Sequence, residues 1–215
     1  MKVAVVSAVF GRYDEPVFVE QTAPCQHVLV TDGEGLVPAG WDVQVVNPGK
    51  LQPRLAAKFP KCAPWRFVDA DIYVWLDGSI LPEPNLVEAI TDCLLDQDVA
   101  FYSHPHRTTI TSEAQASKDL NKYPGAFVRE QAQSYVDAGH PDDWGLWAAG
   151  IFVLRNTLQV RQMGERWLAE ICKWTVQDQL SLPVALRQAG LWPTPLPGSL
   201  LSNGLFKIRQ HADRT

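Results

Sequence analysis

Short apolar runs alternate along the chain with segments of helical character. Runs bounded by Gly, Pro, Asp or Asn predict buried strands at residues 3–6, 26–31, 41–46, 72–76, 99–103 and 150–154. Helix-compatible segments occupy residues 53–64, 86–95, 110–136, 158–175 and 177–189, with interruptions predicted at Pro60, Pro124–Gly125 and Pro183. Strands that alternate with helices predict an α/β fold with a mostly parallel sheet flanked by helices.

Composition is typical of a globular domain. The 215 residues are 46% hydrophobic and 20% charged, and we expect residues 1–215 to form a single domain. No apolar run approaches the roughly 20 residues that a membrane span needs. The net charge of −5 does not indicate a nucleic-acid binder. The four cysteines are dispersed without a Cys-x-x-Cys pair, so we expect neither a disulfide framework nor a zinc ribbon, and a cytoplasmic location.

The basic residues are unevenly distributed. Arg54, Lys58, Lys61 and Arg66 lie in a segment that has no acid from residue 50 to residue 68. Two interpretations stay open for this stretch: a solvated helix face, or a binding site for a phosphorylated small molecule.

Asp77 follows directly on the apolar run 72–76 and precedes Gly78 and Ser79. Open α/β sheets bind ligands at the carboxyl ends of their strands. A carboxylate there is suited to Mg²⁺ or Mn²⁺ held together with substrate phosphates, and Gly78 would permit close approach of a ligand. Asp77 is equally compatible with a simple turn residue.

Four further polar residues are candidates for a functional role. Asp178 begins a predicted helix and suits either a helix N-cap or a base that faces an acceptor hydroxyl. His104 and Arg107 follow the strand 99–103, where we expect a loop that contributes one polar contact. His211 lies in a C-terminal segment that has the composition of a frayed tail.

Eight tryptophans are many for this length, and most are expected in the core. Trp144 and Trp147 flank Gly145 in an Asp-rich loop, so we expect them to be partly exposed. An exposed indole there is suited to stacking on a sugar.

Taken in order, these pieces resemble the glycosyltransferase-like family that includes the plant mucilage-type hexosyltransferases, long catalogued as a domain of unknown function. The ordered set covers nearly the whole chain. It consists of Ala8-Val-Phe-Gly11-Arg-Tyr13-Asp14, Val30-Thr31-Asp32, Arg54-x3-Lys58-x2-Lys61-x2-Pro64, Val74-Trp-Leu-Asp77-Gly78-Ser79, Ser103-His104-Pro-His-Arg107, Glu113-Ala114, Gln131-x3-Tyr135-x3-Gly139, Gly150-x4-Arg155-Asn156, Trp167-x2-Glu170 and Asp178-Gln179-Leu180-Ser181.

The resemblance implies a GT-A-type, Rossmann-like fold that holds a nucleotide-sugar donor beside Mn²⁺ or Mg²⁺. Asp77 would occupy the metal position of an Asp-x-Asp motif, with Ser79 in place of the second acid and His211 as a C-terminal ligand. The donor residues would be Phe10, Gly11, Tyr13 and Asp32 at the nucleobase, Arg54, Lys58 and Lys61 at the diphosphate, and Asp77, Gly78 and Ser79 at the strand end. Asp178 would face the acceptor as base, nucleophile or stabiliser, in a cleft lined by His104, Arg107, Glu113 and Gln179.

These expectations describe a metal-dependent glycosyltransferase that moves a hexose from a nucleotide sugar, for example a UDP-sugar, to an acceptor that the sequence does not identify. Two alternatives stay open. One is a nucleotidyltransferase, for which the loop after the first strand has too few glycines. The other is a non-catalytic carbohydrate- or nucleotide-binding protein on the same fold.

Overall fold

The computed structural model describes residues 1–35, 38–94, 97–120, 123 and 126–209. Its strands are β1 (Val3–Val9), β2 (Gln26–Thr31), β3 (Asp42–Val45), β4 (Ile72–Leu76), β5 (Ile80–Pro82), β6 (Val99–Ser103), β7 (Trp147–Arg155), β8 (Thr194–Pro195) and β9 (Phe206–Ile208). Its helices are α1 (Pro53–Ala56), α2 (Lys58–Cys62), α3 (Leu86–Thr91), α4 (Ile110–Asp119), α5 (Val128–Asp137), α6 (Leu158–Lys173) and α7 (Asp178–Gln188).

Within the described residues, seven strands form one sheet in the order β3-β2-β1-β4-β7-β6-β8. Every pair in it is parallel except the two pairs that involve β7. The predicted α/β class with a mostly parallel sheet flanked by helices is therefore confirmed. Because β7 runs against its neighbours, its first residues lie at the same edge as the carboxyl ends of β1, β4 and β6.

Helices cover both faces of the sheet. The larger core joins one face to α2, α6 and α7, and includes the fully buried Trp167 and Phe152. The smaller core joins the opposite face to α3 and to the short β5–β9 ribbon. The helices α4 and α5 pack against α7, and Tyr123 lies between them in the chain.

Two predicted interruptions are wrong. Pro183 does not break α7, which continues to Gln188 because all of its side chains from Leu180 to Leu186 are buried by surrounding elements. The helical segment 53–64 divides at Ala57 and not at Pro60. Pro60 is the third residue of α2, where a helix has no intrahelical partner for the N–H that proline lacks.

The interruption predicted at Pro124–Gly125 and the metal ligand predicted at His211 lie outside the described residues. Sequence analysis did not predict the short strands β5, β8 and β9. Within the part of the chain that the structure describes, no helix has the length and apolar character to cross a membrane.

Candidate active site

A pocket opens at the carboxyl ends of β1 and β4. It has a volume of about 200 Å³ and combines both signs of charge. Its wall consists of Ala8, Val9, Phe10, Tyr13, Asp14, Pro53, Arg54, Ala57, Lys58, Lys61, Trp75, Asp77, Gly78, Tyr123, Ala149, Gly150, Val176, Asp178 and Gln179. We call it the edge pocket. It lies at the sheet edge where α/β folds bind ligands.

Asp77 directly follows β4 and lines the edge pocket. Its N–H donates to the carbonyl of Gly150 on β7 at 2.9 Å. Its Oδ1 accepts hydrogen bonds from Trp75 Nε1 at 2.7 Å and from Lys61 Nζ at 3.1 Å. The side chain keeps 39% of its surface exposed, so the carboxylate is fixed by one oxygen while still facing the pocket.

Lys58 and Lys61 converge on Asp178. They are three residues apart on α2, so they share one helix face, and their Nζ atoms lie 2.6 and 2.7 Å from Asp178 Oδ2. The exposed fractions of the side chains of Lys61 and Asp178 are 4% and 7%. The interpretation of the basic stretch as a wholly solvated helix face is therefore wrong for these two lysines. Arg66, by contrast, is exposed and pairs with Glu165 at 2.7 Å.

The charges of this cluster shift the pKa values of Asp178, Lys61 and Lys58. Burial alone would raise the pKa of Asp178, but Lys58 and Lys61 outweigh burial and hold that pKa well below its usual range. Burial opposes the charge of Lys61, but Asp178 and Asp77 together raise its pKa. Lys58 contacts only one carboxylate and is repelled by Lys61, so burial prevails and lowers its pKa. Lys61 is thus the more firmly charged lysine.

The loop after β1 forms a second wall of the pocket. Asp32 Oδ2 accepts a hydrogen bond from the N–H of Gly11 at 2.7 Å. Gly11 has φ +60, and a Cβ there would lie 2.7 Å from Pro53 Cγ. Asp32 and Gly11 therefore shape this loop without lining the pocket, whereas Phe10 and Tyr13 line it.

Arg54 joins this loop to the pocket mouth. Its Nη2 donates to the Tyr13 hydroxyl at 2.8 Å. Its guanidinium also lies over the rings of Tyr13 and Tyr123, at 5.1 and 5.3 Å from their centroids. The two phenol rings fix the orientation of the guanidinium, whose N–H groups along its edge are suited to the oxygens of a phosphate.

Gly78 lines the edge pocket, where it was expected to permit close approach of a ligand, and it is also required for a contact within the protein. A Cβ on Gly78 would lie 2.8 Å from Asp14 Cβ and 3.0 Å from Val9 Cγ2. The glycine therefore lets Asp14 pack against residue 78, and Asp14 and Asp77 both line the pocket. Asp14 and Trp75 belong to motifs noted in the sequence but were not selected as site residues, and Tyr123 was not noted at all.

The residues present fit a divalent cation only in a shared site. The described part of the chain holds no group of three or more His, Cys, Asp or Glu side chains placed to hold a metal ion. Ser79 is 8% exposed, does not line the pocket, and accepts a backbone hydrogen bond from Arg209 at 2.8 Å through its carbonyl. Asp77 and Asp14 remain as oxygen donors, and Mg²⁺ is commonly held by one or two carboxylates together with substrate phosphates.

His104, Arg107 and Glu113 gather in a buried cluster and do not line the edge pocket. Arg107 Nε donates to Glu113 Oε2 at 2.5 Å, and His104 Nε2 lies 3.4 Å from the same oxygen. Glu113 is only 2% exposed. Of the four residues expected at the acceptor cleft, Gln179 alone lines the pocket.

The two tryptophans of the Asp-rich loop differ in exposure. Trp147 is 6% exposed, so the expectation that it is partly exposed is wrong, because β7 begins at this residue and carries it into the core. Trp144 is half-buried and stands edge-on to Trp192, with ring centroids 4.7 Å apart. Trp192, which was not singled out from the sequence as an exposed tryptophan, is 53% exposed.

Comparison with known proteins agrees with this architecture. The family model of the TOD1/MUCI70, glycosyltransferase-like domain matches residues 24–190. No curated protein matches the chain. Among the 192 chains of solved structures that match is the apo form of WbbM, a bifunctional glycosyltransferase, with a TM-score of 0.51 and 13% sequence identity. The match covers 91% of this chain and 39% of that one.

The matched segment takes in α1, α2, β4 and the start of α7, which carry Arg54, both pocket lysines, Asp77 and Asp178. The chain therefore belongs to the TOD1/MUCI70 glycosyltransferase-like domain family.

Proposed function

We propose that residues 1–215 form a single glycosyltransferase domain that transfers a hexose from a UDP-sugar or similar nucleotide sugar to an acceptor hydroxyl. The observation that carries this proposal is the cluster of Lys58, Lys61, Asp77 and Asp178 in one pocket at the carboxyl edge of the sheet. Membership in a glycosyltransferase-like family supports the reaction class.

Different parts of the edge pocket suit the nucleobase, the diphosphate and the sugar of such a donor. We assign the nucleobase to the wall formed by Phe10 and Tyr13, because it provides the aromatic surface. Arg54 contacts Tyr13 of that wall and lines the same pocket as the lysines, and it would contact the diphosphate. The sugar would then lie towards Asp77 and Asp178.

The reaction breaks the bond between the anomeric carbon and the phosphate oxygen, and the electron pair leaves with the nucleoside diphosphate. The acceptor oxygen bonds to the anomeric carbon, and its proton passes to an oxygen of the departing diphosphate. A carboxylate whose pKa is held low is a weak base. We therefore assign Asp178 the role of stabilising positive charge at the anomeric carbon, in preference to the role of general base.

Asp77 and Asp14 would hold Mn²⁺ or Mg²⁺, and His211 is a further candidate ligand. When bound together with the donor, the cation would offset the charge that develops on the departing diphosphate. Arg54 and Lys61 would act on the same charge from the protein side.

The acceptor and the cellular compartment are less constrained. Half-buried Gln179 is the candidate acceptor contact, since it lines the pocket beside Asp178. All four cysteines are free thiols, which supports the proposal of a reducing, cytoplasmic compartment.

Thermal denaturation with a panel of nucleotide sugars and nucleoside diphosphates, each with Mn²⁺ or with chelator, tests the proposal. A ligand at 100 times its Kd adds about 2.7 kcal/mol, or about 5–10 °C in Tm for a chain of this length. We expect one nucleotide class to raise the Tm, with a smaller effect in chelator. Release of free sugar or nucleoside diphosphate from the stabilising donor then tests for turnover.

Two variants make the test specific. Asp77→Asn should lose turnover and metal-dependent stabilisation, whereas Asp71→Asn, at the other end of β4 and 62% exposed, should keep both. Stabilisation without turnover would support a binding module, and pyrophosphate release from a nucleoside triphosphate would support nucleotidyl transfer. If no nucleotide changes the Tm, the transferase proposal is wrong.

A further inference from the structure

The backbone that carries Asp178 is anchored by a buried polar cluster behind the edge pocket. Gln177, which immediately precedes α7, is 0% exposed. Its Nε2 donates to Glu113 Oε1 at 2.6 Å and to Ser117 Oγ at 3.1 Å. Glu113 and Ser117 both lie on α4, so α4 holds the residue next to Asp178.

Glu113 is itself fixed by the loop that follows β6. Arg107 Nε donates to Glu113 Oε2 at 2.5 Å. The Arg107 N–H donates to His104 Nδ1 at 3.1 Å, and the His104 N–H donates to the carbonyl of Leu146 at 2.9 Å. Glu113 thus connects the sheet edge, through His104 and Arg107, to the start of α7.

The start of α7 has no side-chain cap, and this contact supplements two hydrogen bonds to its backbone: the Gln177 N–H donates to Thr175 Oγ1 at 3.2 Å, and Trp167 Nε1 donates to the Asp178 carbonyl at 3.0 Å. Gln177 occupies the N-cap position but makes no side-chain capping bond to the first turn. Its side chain is directed to α4 instead. Since consecutive Cα atoms are about 3.8 Å apart, a displacement of Gln177 is passed directly to Asp178, whose Oδ2 must stay within 2.7 Å of two Nζ atoms.

We infer that Glu113 is a positioning residue of the edge pocket: through Gln177 it fixes Asp178 where both lysines reach it. This role rests on the proposed function in so far as it concerns turnover. Because Glu113 does not line the pocket, its loss affects the reacting geometry and leaves the wall assigned to the nucleobase intact. Turnover should therefore fall while the donor KM stays nearly constant.

The test uses Glu113→Gln, Gln177→Met and the double variant in the full chain. Tyr73→Phe is the matched control. It removes a buried hydroxyl that donates to Val68 O at 3.1 Å, and Tyr73 lies at the end of β4 that is remote from the edge pocket. Hydrolysis of the stabilising nucleotide sugar gives kcat and KM. Spectra of ¹⁵Nζ-labelled lysine, with Lys58→Arg and Lys61→Arg for assignment, report the lysine cluster without any turnover.

We expect each single variant to lower kcat by about tenfold to a hundredfold, as misplaced catalytic groups do, with KM within about twofold. The double variant should lose no more than the worse single variant, because Gln177→Met removes and Glu113→Gln weakens the same contact. The signals of Lys58 and Lys61 should shift. Tyr73→Phe should lower the Tm by a few degrees and leave kcat and both signals unchanged.

The inference is overturned if Glu113→Gln lowers the Tm while kcat and the lysine signals match those of the wild type. Should Glu113→Gln fail to fold, Ser117→Ala with Gln177→Met gives the same comparison. If the wild type hydrolyses no nucleotide sugar, the proposed function fails and the lysine spectra alone decide: shifted signals support the positioning role, and unchanged signals overturn it.

Discussion

Replacing Lys61 by methionine should destabilise the fold substantially. Lys61 Nζ lies 2.7 Å from Asp178 Oδ2 and 3.1 Å from Asp77 Oδ1, and its side chain is 4% exposed. Removing one partner of a buried ion pair costs about 3–5 kcal/mol, because the remaining charge is left without compensation. Two features favour the lower end of that range. Lys58 still pairs with Asp178, and Asp77 is partly screened by water.

We therefore expect Lys61→Met to lower the free energy of unfolding by about 3 kcal/mol and the Tm by about 6–12 °C. Urea denaturation followed by tryptophan fluorescence provides the measurement, with Trp75 as a reporter next to the cluster. Lys2→Met is the surface control, since the side chains of Lys2 and Asp69 are 70% and 86% exposed, and its Tm should match that of the wild type.

A double-mutant cycle with Asp178→Asn identifies the cause. If the loss comes from an uncompensated carboxylate, Lys61→Met should cost less in the Asp178→Asn background by at least about 1 kcal/mol. A Lys61→Met variant within about 0.5 kcal/mol of the wild type, the range of ordinary surface changes, would refute the reasoning. So would full additivity with Asp178→Asn.

Three further predictions follow from the structure. Gly164→Ala should destabilise the fold by about 1–3 kcal/mol in urea denaturation, although alanine favours helix, because the added Cβ would lie 2.1 Å from Cys62 O. The control Gly204→Ala should be neutral, since its Cβ would have nothing within 4 Å. The difference in unfolding free energy between the wild type and Asp178→Asn should be largest at neutral pH. Because the pKa of Asp178 is lowered in the folded state, its contribution to stability is complete above the unfolded pKa of about 3.9 and is lost as the pH falls below that value. Urea midpoints measured from pH 3 to 7 would show this loss. Arg54→Lys should raise the Kd of the donor nucleotide about twofold to fivefold in titration calorimetry through loss of stacking, and an unchanged Kd would contradict the assignment of Arg54 to the donor.

The sequence predicts the sheet well where the local pattern is unambiguous. Strands β2, β4 and β6 have the predicted bounds, because each is an apolar run that ends at a polar residue or turn. The sequence does not predict β8 and β9, which are too short to show a pattern. It wrongly predicts a helix break at Pro183, where burial from all sides outweighs the local preference of proline. Local propensity predicts an element only where tertiary packing does not compete with it.

The candidate site shows a similar division. Lys58, Lys61, Asp77 and Asp178 were each selected from sequence, and the structure brings them together although Lys58 and Asp178 are 120 residues apart. Their mutual pairing could not be predicted, since the partner of a charge depends on the fold and not on its neighbours in sequence. For the same reason Glu113 was assigned to an open cleft, while its carboxylate is buried against Arg107 and Gln177.

The pairing of the lysines changes what the pocket requires of a ligand. From the sequence, Lys58 and Lys61 were expected to neutralise a diphosphate, but both already neutralise Asp178 and Asp77. Arg54 and Asp14, which line the same pocket, also offset each other in formal charge. The described pocket is therefore close to neutral before any ligand binds, and a nucleotide sugar would add the negative charge of its diphosphate in a partly buried place, where uncompensated charge is costly. A divalent cation that enters with the donor would restore the balance without separating the lysines from Asp178. This charge count, and not the incomplete Asp-x-Asp motif, is the physical reason to expect that nucleotide affinity depends on Mn²⁺ or Mg²⁺.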